Sequence, residues 1–287
     1  MFEERALGFA CEGERLVGIV SQPAGAAAAT PPTRGVLVVV GGPQYRAGSH
    51  RQFTLLCREL ASAGIPAMRF DYRGMGDSEG AQRGFESVDA DVRSAIDAFM
   101  AAVPSLREVV LCGLCDGAAA SVFYADADPR VRGLLLFNPW VRTEEGAARA
   151  TLQHYYRARL FDKDFWRKLA SGKFRPGAAL ASALRLLRQS RAARSASEPT
   201  EVRTENLPDR MYRHLNRFDG RVLVVLSGAD LTAQEFAGLA QSSPTWRRLL
   251  EDGRVTRHEL PGADHTFSLR AWQDEAARHA CNWMRAW

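Results

Sequence analysis

The apolar run Val109-Val110-Leu111-Cys112 ends at a glycine, Gly113, and the small-residue run Gly117-Ala118-Ala119-Ala120 begins four positions later. The first run suits a buried strand and the second a closely packed helix. Only Leu114, Cys115 and Asp116 lie between the two glycines, so the strand must turn sharply into the helix. Glycines two before and two after Cys115 let strand and helix approach each other closely. The arrangement is the nucleophile-elbow pattern G-x-S-x-G, with cysteine in place of serine. Such a turn strains the backbone of the nucleophile. It also aims the side chain at the positive end of the following helix, which favours a thiolate.

Two other readings of Cys115 compete with this one. Cys112 and Cys115 have the spacing of a redox or metal pair, and Cys115 could be a small core residue. Against the pair, Cys112 falls on the strand side of the turn. No second pair and no His-rich cluster completes a metal site, and nothing in the sequence signals an organic cofactor.

A cysteine nucleophile needs a base, and the base needs a group that fixes its tautomer. Arg221 to Leu226 reads as a buried strand followed by Ser227-Gly228-Ala229-Asp230, which puts an acid just past its carboxyl end. Val255 to Leu260 reads as another strand, followed by Pro261-Gly262-Ala263-Asp264-His265. Cys115, Asp230 and His265 are therefore the expected nucleophile, acid and base. Asp264 is a competing acid, but neighbours in sequence rarely face one another. Asp116 competes as a catalytic side chain, although its backbone is the better-placed group.

These motifs resemble the α/β-hydrolase superfamily over nearly the whole chain. The resemblance rests on Gly41-Gly42-Pro43-Gln44 after an apolar strand and on Asp71-Tyr72-Arg73-Gly74-Met75-Gly76-Asp77-Ser78 after the next strand. It rests further on the Cys115 elbow and on Gly262-Ala263-Asp264-His265. The order nucleophile, acid, histidine is that superfamily's order. Gly41-Gly42-Pro43-Gln44-Tyr45-Arg46, taken with the cysteine elbow, also resembles the bacterial hydrolases encoded beside exosortase and exopolysaccharide systems. The resemblance implies an oxyanion hole made partly by the backbone N–H of Asp116. The second donor is expected from the loop after Val40. Pro43 has no N–H, so Gln44 is the first choice and Gly42 the weaker one. The loop lacks the common His-Gly start. Gly42, Tyr45 and Arg46 are expected to contact substrate; His50 and Arg46, near the same loop, read first as surface or loop-stabilising residues, and either would suit a substrate carboxylate.

At 287 residues with 46% hydrophobic content, the chain can bury a large core. Strand–helix alternation predicts an α/β fold with a mostly parallel, doubly wound sheet. Two N-terminal strands near 5–11 and 15–22 read as an antiparallel hairpin, and Ala24 to Arg34 as a linker. Residues 1–140 and 219–287 form the expected core, with 141–218 as a helical lid insertion carrying helices near 144–159, 162–171, 177–194 and 206–217. In that segment basic residues outnumber acidic ones about two to one, whereas the rest of the chain is net acidic. The excess is either solvated helix face or an attraction for an anionic carrier such as coenzyme A or an acyl-carrier protein. No nucleic-acid-binding module is legible.

No apolar run approaches the length of a membrane span. The start, Met1-Phe2-Glu3-Glu4-Arg5, lacks the pattern of a signal peptide, and five scattered cysteines do not suggest a disulfide framework. The expectation is a cytoplasmic enzyme cleaving a small acyl ester or thioester through a thioester acyl-enzyme. The alternatives are an acyltransferase delivering the acyl group to a sugar or amine, and a non-catalytic binding protein on the same fold. Acyl group, acceptor and oligomeric state are not legible in the sequence.

Overall fold

A computed structural model describes residues 1–25, 31–42, 44–141 and 206–287. Eight strands form one sheet: β1 (Phe2–Cys11), β2 (Glu14–Pro23), β3 (Arg34–Val39), β4 (Ala67–Asp71), β5 (Glu108–Leu114), β6 (Val131–Phe137), β7 (Arg221–Ser227) and β8 (Val255–Leu260). Their order is β1-β2-β4-β3-β5-β6-β7-β8. The N-terminal hairpin pairs antiparallel with itself and with β4, and the remaining strands are parallel. Helices α1 (Gln52–Ser62), α2 (Asp89–Ala102), α3 (Asp116–Ala125), α4 (Leu207–Arg217), α5 (Leu231–Ser242), α6 (Pro244–Leu250) and α7 (Arg270–Arg285) cover the two faces.

The central parallel strands β3, β5, β6 and β7 are largely apolar on both sides, and their side chains divide with a period of two. On β5, Val109 and Leu111 enter one core cluster, with α2 to α6, while Val110, Cys112 and Leu114 enter the other, with α1 and α7. A helix on each face follows from this pattern, since neither side of the sheet tolerates water. The consequence for function is positional. Turns leaving the carboxyl ends of β3, β5, β7 and β8 all emerge on one edge, which is where open α/β sheets bind ligands.

Differences from the sequence reading are local. The amphipathic stretch from Phe85 to Ala102 predicts one helix, but α2 begins at Asp89, preceded by a 3-10 turn at Phe85–Ser87. Helices α5 and α6 follow Asp230, where the sequence reading had placed no element. Helix α4 is the last of the four expected in the insertion. It contributes Met211 and Leu215 to the core cluster shared with α3, and so belongs to the core layer. The other three expected helices lie outside the described residues. Among the described residues no helix is long and apolar enough to cross a membrane.

Candidate active site

Cys115 sits between β5 and α3 with φ 59° and ψ −121°, a conformation L-residues rarely adopt. Its neighbours enforce it. A Cβ added to Gly113 would lie 2.3 Å from the backbone of Gly117, and one added to Gly117 would lie 2.5 Å from the carbonyl oxygen of Val39. The N–H of Cys115 donates to the Phe137 carbonyl at 3.0 Å, and its own carbonyl accepts from Trp140 at 3.1 Å. The elbow is thus held by β6 as well as by its own helix. Cys112, by contrast, is fully buried on the α1/α7 side, and burial pushes its thiol well above the ordinary range. The redox-pair reading loses its support there. Among the described residues no group of three or more potential ligands could hold a metal ion.

Asp230 caps the N-terminus of α5, its carboxylate accepting from the N–H groups of Thr232 at 3.2 Å and Ala233 at 3.1 Å. The same carboxylate lies 2.8 Å from Nδ1 of His265. Capping fixes the acid before the histidine meets it, because a helix N-terminus favours an anion. The hydrogen bond to Asp230, then one to Cys115, pushes the imidazole of His265 up to about 10, against the opposing effect of burial. The His265 loop is tied down by Asn138, whose side-chain amide donates to the His265 carbonyl at 2.9 Å and to Ser227 Oγ at 2.9 Å. Its amide oxygen accepts from the Ser227 N–H at 2.8 Å. Asp264 is occupied elsewhere, accepting from the N–H of Ser268 at 2.9 Å and from its hydroxyl.

A cleft of about 260 Å³ opens over these groups, lined by Gly41, Gly42, Gln44, Cys115, Asp116 and His265. Five of the expected site residues thus join Cys115 around one space once Asp230 is counted behind His265. The other expected residues stand outside the lining or are engaged elsewhere. The guanidinium of Arg46 pairs with the buried Asp71 and with Asp77 at 2.6 Å, and its N–H donates to Asp71 at 2.6 Å. It anchors the loop to the end of β4 and is not among the described residues that line the cleft. Tyr45 is 52% exposed and is not among the lining residues either. Gly42 does line the cleft, but its N–H donates to Asp116 Oδ2 at 2.8 Å. That engagement removes it as an oxyanion donor. His50 is exposed and absent from the lining.

The sequence reading missed Phe85 and Trp140, both in the cleft wall. Phe85 belongs to the 3-10 turn before α2, where a helix start was expected. Trp140 lies three residues past β6, in Asn138-Pro139-Trp140, and an aromatic just beyond the carboxyl end of a buried strand was the available signal.

The model of the alpha/beta hydrolase family matches residues 36–279. No curated protein matches the chain. Among solved structures, an esterase of Pyrococcus furiosus aligns over 100% of this chain and 91% of its own, with a TM-score of 0.65 and 13% identity. Est1E of Butyrivibrio proteoclasticus, solved with ferulic acid bound, covers 98% of each chain at a TM-score of 0.64 and 14% identity. A hypothetical protein of Pseudomonas aeruginosa PAO1 covers 98% of this chain and 99% of its own, at 0.57 and 18%. At these identities the likeness is one of fold.

Proposed function

Because the chain belongs to the alpha/beta hydrolase family, we propose that it cleaves esters or thioesters with Cys115 as nucleophile, His265 as base and Asp230 as the group that orients the base. The observation that carries this reading is the line of contacts from a helix-capped carboxylate, through Nδ1 of His265 at 2.8 Å, to a cysteine on a strained elbow. His265 takes the thiol proton of Cys115, and the sulfur attacks the carbonyl carbon. The tetrahedral oxyanion is met by the backbone N–H of Asp116 and that of Gln44. Collapse breaks the bond to the leaving alcohol or thiol, which receives its proton from His265. A thioester acyl-enzyme results. Water, deprotonated by His265, then releases the acid and restores the thiol.

A thioester intermediate also yields readily to amines and alcohols, which keeps acyl transfer as the second reading. The motif Gly41-Gly42-Pro43-Gln44-Tyr45-Arg46 with the cysteine elbow supports kinship to the hydrolases encoded beside exosortase systems, and so an acceptor in exopolysaccharide assembly. The basic excess between residues 141 and 218 supports an anionic carrier such as coenzyme A or an acyl-carrier protein. All five cysteines are free, and four are buried, which fits a reducing compartment such as the cytoplasm.

Turnover of p-nitrophenyl acetate and of short acyl-coenzyme A, followed with and without alcohol or amine acceptors, tests the reading. A hydrolase releases nitrophenol or free thiol at a rate that acceptors leave unchanged. A transferase speeds up with acceptor. Release that is equal in wild type and Cys115→Ala contradicts both.

A further inference from the structure

The carboxylate of Asp116 stands where neither a triad nor an elbow requires one. Its Oδ2 accepts the N–H of Gly42 at 2.8 Å, and its Oδ1 the N–H of Gly117 at 3.0 Å. Gly42 belongs to the turn after β3, and Gly117 to the first turn of α3, so one side chain bridges two separate turns. A Cβ on Gly41 would lie 2.0 Å from Oδ1, so glycine at 41 admits the carboxylate. The backbone N–H of Asp116 starts α3 and has no acceptor within the helix. Asp116 also lines the cleft beside Cys115 and His265. Its charge is felt locally: the Tyr72 phenol is pushed up to about 12, first by burial and then by Asp116.

Two consequences follow. Gly42 has committed its N–H to Asp116, and Pro43 has none, which leaves Gln44 as the remaining one of the two candidate donors after β3. The distance between that donor and the N–H of Asp116 is then set by the side-chain bridge. The bridge also places a carboxylate at the nucleophile's end of the cleft, against which an anionic acyl group would have to sit.

We propose that Asp116 is the positioning and specificity-determining residue of this site: its carboxylate clamps the oxyanion turn to the elbow and restricts the acyl group to uncharged ones. This rests on the reading of Cys115 as the residue that accepts the acyl group. Any anionic portion of the substrate then lies on the leaving-group side.

Asp116→Ala and Asp116→Asn, compared with wild type on p-nitrophenyl butyrate and p-nitrophenyl hemisuccinate, test the proposal. Alanine keeps the backbone donor and removes the bridge. It is expected to lower kcat on the neutral ester by about 100-fold, the effect of losing one oxyanion donor, with KM changed by less than about threefold. Asparagine retains an acceptor for one N–H and loses the charge. It is expected to lose less than about tenfold in kcat and to raise the hemisuccinate-to-butyrate ratio of kcat/KM by about tenfold. Wild-type kcat in Asp116→Ala overturns the clamp, and an unchanged ester ratio in Asp116→Asn overturns the charge selection. The asparagine arm stands even if the alanine variant does not fold. A wild-type protein that forms no acyl adduct on Cys115 overturns the underlying reading instead, whereas adduct formation at equal rates in wild type and Asp116→Ala overturns the clamp and leaves that reading standing.

Discussion

The turn after β5 and the turn after β3 face each other across the same cleft and start from the same material, a buried parallel strand running into glycine. They are held in opposite ways. The elbow is fixed by its own backbone, since Gly113 and Gly117 lie in mutual contact and leave Cys115 a single strained conformation. The turn after β3 is fixed by borrowed side chains: Asp71 and Asp77 hold Arg46, and Asp116 holds Gly42. A turn made by sterics tolerates no added atom. A turn made by side-chain bridges can be loosened by degrees.

Substitutions at the two turns separate these modes. Gly113→Ala drives a Cβ into the Gly117 backbone at 2.3 Å. It is expected to cost about 4 kcal/mol or more in denaturant unfolding and to abolish activity, because the backbone has nowhere to move. A fully stable Gly113→Ala protein would break the comparison at its rigid end.

Asp230→Asn leaves both turns intact and removes the group that orients His265. Turnover is expected to fall by about 10³-fold or more. The His265 resonance, followed by NMR, is expected to titrate well below the value of about 10 in the wild type, moving toward the ordinary 6.5. The proton binds the folded protein more tightly than the unfolded chain. The Asp230–His265 pair therefore stabilises the fold fully below pH 6.5 and progressively less as pH rises toward about 10. Wild type should lose part of its advantage over Asp230→Asn across that window. An advantage that grows with pH would contradict the assignment.

Arg46→Ala leaves the buried carboxylate of Asp71 without its cation and frees the oxyanion turn. The expected cost is about 3 kcal/mol of stability, read by chemical denaturation. The kinetic loss should appear in kcat and be equal for neutral and anionic esters, because Arg46 anchors the loop and is not in the cleft lining. A loss confined to anionic esters would restore Arg46 as a substrate contact. Tyr45→Ala is the smallest change expected. The ring is 52% exposed and outside the cleft lining, so stability should move by no more than about 0.5 kcal/mol and turnover should be unaffected.

The same contrast explains what could be read from the chain alone. The elbow was legible because its determinants are contiguous: an apolar run, two glycines and a run of alanines specify one backbone path. Asp230 could be placed because it follows β7, a continuous apolar run covered on both faces, whereas His265 follows the edge strand β8, of which only Leu260 is buried, and was placed by its order after Asp230 and by Gly262-Ala263-Asp264. The order of the sheet edge came with them. The partners of Arg46 were not legible because proximity in sequence to Gly42 says nothing about direction. Arg46 turns toward Asp71, 25 residues away, for a partner that only the folded sheet brings near. Asp116 was read for its backbone and, as a weaker choice, as a catalytic side chain; the acceptor role of that side chain depends on Gly42, 74 residues earlier. Asn138 went unnoticed for the same reason: it joins β6, β7 and the His265 loop, which no local pattern connects.

Intact-mass spectrometry after brief exposure to p-nitrophenyl acetate and to a short acyl-coenzyme A tests the central claim most directly. The account predicts one acyl adduct on the wild-type protein, localised to Cys115 and absent from Cys115→Ala. An adduct that persists in Cys115→Ala, or turnover without any adduct on Cys115 under single-turnover conditions, would contradict it.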